Sequence, residues 1–112
     1  MLLNEFLSTL ISNPLDITFT NTIAVIDANY TFTATAFRNG DLQNEAGQNS
    51  GSCKLFSFAQ LHKLTKEQTL QCFGDYYRVD VQQKPTAKDH QNIRNFMQFG
   101  WEGIEFSGQA LS

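Results

Sequence analysis

The spacing of apolar residues along the chain predicts mostly helices. The first helical face, at i, i+3, i+4, i+7 and i+8, consists of Leu3, Phe6, Leu7, Leu10 and Ile11. Asn13-Pro14 then predicts the end of this helix, because proline cannot continue it. A second apolar set at helical spacing, from Phe19 to Tyr30, favours a helix over about residues 20–29. The amino-terminal quarter is therefore expected to be two packed helices.

Two short segments show the alternation that is typical of strands. Residues 30–38 alternate threonine with apolar side chains, and Asn39-Gly40 is a dipeptide preferred in tight turns. Residues 103–108 place Ile104 and Phe106 on one face of a second short strand. Since neither segment has another evident partner, the two are predicted to pair with each other.

Three further helices are predicted in the second half. One starts near Ser52, and a fourth starts at the capping box formed by Thr65 and Gln68. The apolar stripe of that fourth helix comprises Leu70, Phe73, Tyr77 and Val81 and passes through Gly74, which predicts the longest helix of the chain. The fifth follows Lys84-Pro85-Thr86, with Asp89 as its cap and Ile93, Phe96, Met97 and Gly100 on its inner face. The predicted fold is α+β and mostly helical, with about five helices and a two-stranded antiparallel sheet in a single domain, 1–112.

The stretch from Asn39 to Ser52 is almost purely polar, and only Leu42 and Ala46 interrupt it. It ends where a helical pattern resumes, which places its polar groups at a helix N-terminus, a location that favours negative charge. We therefore expect this loop to be a recognition surface. Its candidate binding residues, together with two cationic residues, are Asn39, Asp41, Asn44, Glu45, Gln48, Asn49, Ser50, Ser52, Lys54 and Arg94.

Charge and hydropathy exclude several classes of protein. The net charge of −3 is opposite in sign to that of a typical nucleic-acid binder. The longest apolar run is the segment 23–26, too short for a membrane span. The start of the chain lacks the basic region of a secretory signal, so a bacterial cytoplasmic location is the default expectation. Two cysteines without such a signal predict free thiols.

Cys53 is the candidate catalytic nucleophile. A thiol in the first turn of a helix, beside Lys54, meets conditions that lower its pKa. His90, with Asp89 or Asn92, would complete a Cys-His-acid arrangement. The alternative is that Cys53 is simply a small buried apolar residue.

No metal site and no cofactor are predicted. Cys53, His62, Cys72 and His90 are suitable zinc ligands by type, but nine residues of helix place the first two on opposite faces. Asp41 and Glu45 lack the pattern of a calcium loop and are expected to cap turns. The glycines of the loop match neither the dinucleotide fingerprint nor the phosphate loop.

Several strings of the chain resemble the HopJ family, which is named after a Hrp outer protein associated with type III secretion. These strings are FRNGDLQNEAGQNSGSCKLFSFAQL, CFGDYYR, HQNIRNFM and GWEGIEFSGQAL. The resemblance spans Phe6 to Ala110. It implies an effector delivered into plant cells, and it implies no known reaction, cofactor or catalytic residue.

Three functional hypotheses follow. The first is a non-enzymatic HopJ-like protein that binds a protein partner or a small anionic ligand through the loop 39–54. The second is a small thiol enzyme that uses Cys53 and His90, and the third is a small-anion sensor centred on Lys54 and Arg94. Type III export usually relies on a flexible, acid-poor amino terminus, whereas Glu5 lies inside the first predicted helix. A resident bacterial homologue is therefore an alternative to a secreted effector.

Overall fold

A computed structural model describes all 112 residues of the chain. It contains five α-helices, which are α1 (Leu3–Ser12), α2 (Phe19–Asn29), α3 (Ser50–Leu61), α4 (Lys66–Gln71) and α5 (Gln91–Phe99). A π-helical segment, Tyr76–Val81, separates α4 from α5. The strands are β1 (Phe37–Asn39), β2 (Leu42–Asn44) and β3 (Ile104–Phe106). The predicted α+β, mostly helical class is confirmed.

The sheet is antiparallel, with strand order β2-β1-β3. The pairing predicted between the two strand-like segments is confirmed, since Phe37 lies opposite Phe106 and Asn39 opposite Ile104. The same register continues beyond the strands, where Thr31 and Ser112 exchange backbone hydrogen bonds of 2.8 and 3.0 Å. A third strand, β2, was not predicted; it follows the predicted turn at Gly40 and is formed by the start of the polar loop.

The long fourth helix was wrongly predicted. The capping box at its start is present, because Thr65 and Gln68 exchange hydrogen bonds of 2.9 and 3.1 Å. However, α4 ends at Gln71, and Gly74 then adopts a left-handed conformation with φ of +61°. A Cβ atom at Gly74 would lie 2.8 Å from the backbone nitrogen of Phe19. The glycine thus breaks the helix and lets the chain pass closely over the start of α2.

The hydrophobic core is centred on Phe56 of α3, which is fully buried. Its ring centroid lies 4.9 Å from that of Phe96, 5.5 Å from Phe73 and 6.1 Å from Phe37. These contacts join α3 to α5, to the α4 end and to the sheet. Aromatic pairs of this kind add roughly 0.5–1.5 kcal/mol beyond the burial of their area. Helix α3 is therefore the central element against which the others pack.

We predict that Gly74→Ala destabilises the protein more than Gly47→Ala. Gly47 also has a positive φ, of +90°, but a Cβ there would meet no atom within 4 Å. Both variants incur a left-handed strain of roughly 1–2 kcal/mol, and Gly74→Ala adds an overpacking cost of roughly 1–3 kcal/mol. Urea unfolding of the two variants measures this difference. Equal losses of unfolding free energy would show that the close approach to Phe19 does not matter.

Candidate ligand-binding cleft

A cluster of buried asparagine side chains joins the β-hairpin to the first turn of α5. Asn92 Oδ1 accepts hydrogen bonds from the Nδ2 atoms of Asn39 and Asn44, at 3.0 and 3.1 Å. Asn92 Nδ2 donates to Asn44 Oδ1 at 3.0 Å, and Asn39 Nδ2 also donates to the Asn92 carbonyl at 2.8 Å. These three side chains are buried. Because each bond joins residues far apart in sequence, the cluster fixes the hairpin against α5.

The polar loop is therefore largely structural, which corrects part of the predicted recognition surface. Asn39 and Asn44 are almost fully buried and cannot contact a partner. Asp41 is exposed, but its carboxylate accepts a 2.8 Å hydrogen bond from Asn95 of α5. Glu45 stays at the surface and shares a tight turn with Gln48, whose side chain accepts a 3.0 Å bond from the Glu45 N–H. The polar side chains of this loop therefore form hydrogen bonds within the protein as well as contacts with solvent.

A cleft of about 420 Å³ lies beside the polar loop, and Leu42 and Asn49 of the loop line it. One side of the cleft is the start of α3, where Gly51 and Ser52 line it. The facing side is the start of α5, where Gln91 and Asn92 line it. The cleft thus lies between the amino termini of two helices, and each terminus carries the positive end of a helix dipole. Asn49, the last residue of the loop, also lines it and donates a 2.8 Å hydrogen bond to Asn44.

Both helices begin in the same unusual way. The residues that precede them, Asn49 and His90, each have φ of 51° and ψ of 47°. Neither side chain caps its helix, and Asp89, the cap predicted for the fifth helix, pairs with Arg94 instead. The N–H groups of Gly51 and Ser52 donate to no protein acceptor. Left-handed conformations at non-glycine residues concentrate at functional sites, where the surrounding structure holds them.

The N–H groups at the start of α5 are likewise free. Ile93 is the first residue of this helix whose N–H is bonded, at 3.0 Å to the His90 carbonyl. The N–H groups of Gln91 and Asn92 have no protein acceptor. The cleft is therefore lined by residues of both first turns with unpaired backbone donors, which is the arrangement that proteins use to hold anions.

Aromatic side chains form another wall of the cleft. Phe19 and Phe73 stack with their centroids 6.1 Å apart, and Tyr76 lies 5.2 Å from Phe19. Gly51 allows this wall to approach α3, since a Cβ at that position would lie 2.8 Å from the Phe19 ring. Tyr76 keeps 44% of its surface exposed. The site therefore combines polar donors with an apolar surface, as small-molecule sites usually do.

His90 lines the cleft and is oriented by two contacts. Its Nε2 lies 3.1 Å from Asp80 Oδ2, and its ring lies 5.1 Å from that of Tyr76. Asp89 is further away, at 3.9 Å from the same nitrogen. His90 was predicted as the partner of Cys53, whereas the structure pairs it with Asp80, from which ten residues of sequence separate it.

Cys53 and His90 do not form the predicted catalytic pair. Cys53 is buried, and its sulfur lies 3.5 Å from the Thr35 carbonyl, whereas His90 pairs with Asp80. Burial raises the pKa of the Cys53 thiol, which outweighs the lowering effects of the Thr35 backbone and the nearby Ser57 hydroxyl. The expectation of a lowered pKa is thus wrong. Burial also raises the pKa of Cys72 to about 12, and both cysteines are free.

The two cations predicted to hold an anion are engaged elsewhere. Lys54 Nζ pairs with Asp27 at 2.9 Å and lies 5.1 Å from the centroid of Phe32. Arg94 pairs with Asp89 at 2.7 Å and donates to the Lys84 carbonyl at 3.0 Å. Neither side chain lines the cleft. Any affinity of the cleft for anions must therefore come from backbone donors and neighbouring polar groups.

No group of three or more histidine, cysteine or acidic side chains lies in a position to hold a metal ion. No helix has both the length and the apolar character needed to cross a bilayer.

The fold and the cleft define a small α+β protein with a ligand-sized site between two helix N-termini. The family model of the HopJ type III effector protein matches residues 3–111, and the chain belongs to this family. The fold is similar to that of the crystal structure of unknown function protein VPA0580, with a TM-score of 0.98 and 55% sequence identity. The match covers 100% of this chain and 93% of that one. No curated protein matches the chain.

We predict that Asn92→Ala lowers the free energy of unfolding by on the order of 3 kcal/mol, because Asn39 and Asn44 lose three buried side-chain hydrogen bonds to the Asn92 amide. Gln91→Ala is the control, since Gln91 is exposed and precedes Asn92 in the same helical turn. Urea unfolding measures both. A loss for Asn92→Ala no larger than that of the control would contradict the structural role given to the asparagine cluster.

We predict that Cys53 is alkylated more slowly than a free thiol between pH 7 and 9, because its raised pKa and burial both suppress the thiolate. Iodoacetamide labelling followed by peptide mass spectrometry reports Cys53 and Cys72 separately. His90→Ala should leave the rate for Cys53 unchanged. Rapid labelling with an apparent pKa below the free value of about 8.5, altered by His90→Ala, would restore the thiol-enzyme hypothesis.

Proposed function

We propose that this HopJ-family protein acts by binding a small ligand that carries an anionic group, in the cleft between the starts of α3 and α5. The observation that carries the proposal is the pair of uncapped helix N-termini that line one cleft. The proposal combines two of the hypotheses from the sequence. The proposed activity is still binding. The groups that hold the anion are backbone N–H groups rather than the side chains of Lys54 and Arg94.

Electrostatics support an anionic group at this place. Each helix N-terminus stabilises a nearby negative charge by roughly 0.3–1 kcal/mol, and more where the site is partly buried. Two termini act on one bound group, and Gly51, Ser52, Gln91 and Asn92 supply N–H groups that have no protein acceptor. No acidic side chain lines the cleft to oppose this charge.

The size and the apolar wall of the cleft support a ligand larger than an inorganic ion. Its volume of about 420 Å³ lies within the ordinary range for small-molecule sites. The rings of Phe19, Phe73 and Tyr76 offer a surface for an aromatic or other apolar portion of the ligand. We therefore propose a small organic carboxylate or phosphate rather than a free inorganic anion as the ligand.

Family membership supports a role as a type III effector, delivered into a host cell. The chain's membership is shown by the match over residues 3–111. As an effector, the protein would bind its ligand inside the host cell. As a resident bacterial protein, it would bind the ligand in the bacterial cytoplasm. The binding activity in the cleft is the same in both settings. No observation favours the thiol-enzyme alternative.

We predict that phenylphosphonate and inorganic phosphate both raise the melting temperature, and that phenylphosphonate does so at lower concentration because its ring contacts the aromatic wall. At ten times the Kd, the rise should be roughly 5–10 °C for a domain of this size. Ser52→Asp should abolish it, because a carboxylate in the first turn of α3 repels the anion. Chloride at the same ionic strength controls for screening.

Asn4→Asp is the matched variant, since it adds the same charge to the first turn of α1, outside the cleft. It should retain the wild-type response. An absent melting shift with both probes, or an equal shift in Ser52→Asp, would contradict the proposed function.

A further inference from the structure

The dipeptide Asn39-Gly40 ends β1 and begins the turn to β2. In a flexible chain, an asparagine followed by glycine is the dipeptide most prone to deamidation, because glycine lets its nitrogen reach the asparagine side chain. That reaction replaces the side-chain amide with a carboxyl group. The chain contains no other Asn-Gly pair. The stability of this amide therefore depends on how the fold holds one dipeptide.

The fold requires both residues of the pair. Asn39 is fully buried, and its Nδ2 donates to the Asn92 carbonyl and to Asn92 Oδ1, at 2.8 and 3.0 Å. Gly40 has a left-handed φ of +63°, and a Cβ atom there would overlap the ring of Phe99. Glycine is the residue that accepts both conditions. The native structure thus depends on a dipeptide that is chemically labile whenever the chain is unfolded.

The native structure also blocks each step of deamidation. The reaction begins when the Gly40 nitrogen attacks the side-chain carbonyl carbon of Asn39, but the Gly40 N–H donates to the Gly103 carbonyl at 2.9 Å. The Asn39 Nδ2 must leave as ammonia, but Asn92 holds it by two hydrogen bonds. Water must then enter, and the side chain has no exposure to solvent. Deamidation therefore requires this region to open or the chain to unfold.

Deamidation proceeds in two steps and consumes one water molecule. The Gly40 nitrogen forms a bond to Asn39 Cγ, the Cγ–Nδ2 bond breaks, and Nδ2 leaves as ammonia with the proton from the Gly40 nitrogen. Water then adds to one of the two carbonyl carbons of the cyclic imide and breaks its bond to that nitrogen. The product is an aspartate or an isoaspartate, in which the chain continues through the former side chain.

Neither product fits the native site. A carboxylate in place of the Asn39 amide would place an oxygen where Nδ2 now donates, and the Asn92 backbone carbonyl there cannot become a donor. The other carboxylate oxygen would also be unpaired, because Asn39 Oδ1 is buried without a hydrogen-bond partner. A buried charge without a partner is strongly destabilising. Isoaspartate lengthens the backbone of β1, which is paired on both sides, and would break its register.

We propose that Asn39-Gly40 is a deamidation site that sets a one-way chemical limit on how long the chain can stay unfolded. A chain that folds promptly is protected. A chain that stays unfolded loses the Asn39 amide, and with it the ability to refold. Since the same amide bonds to Asn92 in the first turn of α5, a deamidated chain also loses the arrangement of the cleft. The proposal does not depend on the ligand of that cleft.

The first test incubates the wild-type protein in buffer and in urea at the same mildly alkaline pH. Tandem mass spectrometry of the tryptic peptide 39–54 measures conversion at Asn39 separately from conversion at Asn44 and Asn49. We expect Asn39 to convert at least roughly tenfold faster in urea, because the native state must first open. Gly40→Ala, measured only in urea, should slow the reaction severalfold. Equal rates at Asn39 in the two conditions would overturn the proposal.

Refolding tests the consequence of deamidation. Size-exclusion chromatography after dilution from urea separates the folded protein from chains that fail to refold. We expect the folded fraction to contain only the amide form of Asn39, and its yield to fall in step with conversion. A folded fraction that contains the acid forms in the same proportion as the whole sample would contradict the proposed limit.

Asn39→Asp reproduces the aspartate product directly. At neutral pH it should melt at least roughly 10 °C below Asn4→Asp, which adds the same charge at an exposed position. A variant that is unfolded at neutral pH is the extreme of the same result. Burial raises the pKa of a carboxyl group, so the lost stability should return as the pH falls and the neutral acid can donate to Asn92. Equal melting temperatures of the two variants at neutral pH would overturn the proposal.

Discussion

The hydrogen bonds of the Asn92 side chain are the interaction on which the rest of the site depends. This amide joins Asn39 and Asn44 of the β-hairpin to the first turn of α5. Asn44 in turn accepts a bond from Asn49, the residue that precedes α3. A single network of side-chain amides therefore connects the starts of both helices. This network, supported by the bonds from Asn95 to Asp41 and to the Asn39 carbonyl, holds the two N-termini at the same cleft.

The network also explains why so polar a loop is rigidly placed. A typical hydrogen bond within a protein contributes a net of about 1 kcal/mol, but a buried amide left unpaired costs roughly 1–3 kcal/mol. The cluster is therefore more stable complete than partly formed, and it specifies one arrangement of the hairpin. Phe56 and its aromatic neighbours hold α3 in the core. The asparagines set the position of its first turn relative to α5.

Much of the fold could be predicted from periodicity. The first two helices, the capping box at Thr65 and the pairing of the segments around Phe37 and Phe106 all follow from local patterns. The break at Gly74 could not, because it depends on the close approach of α2 rather than on the stripe of apolar residues around it. The short strand β2 was not predicted, because Gln43 and Asn44 give it no apolar alternation.

The site was predictable only in part, for a related physical reason. Sequence indicates where a helix begins, so the start of α3 was predicted near Ser52. It does not indicate which polar side chains bond to one another across 48 or 53 residues, as Asn44 and Asn39 do with Asn92. It also placed Lys54 and Arg94 at an anion site, although each already has an acidic partner. Long-range pairing of polar groups is a property of the tertiary structure.

The most direct measurement of the central claim is a ¹⁵N-resolved NMR titration of the protein with phenylphosphonate. The account predicts that the amide signals of Gly51, Ser52, Gln91 and Asn92 shift together with a single Kd, because they line one cleft. It also predicts that Asn92→Ala abolishes this common response while the protein remains folded. Shifts that are absent from these four amides, or that have different Kd values at α3 and α5, would contradict it.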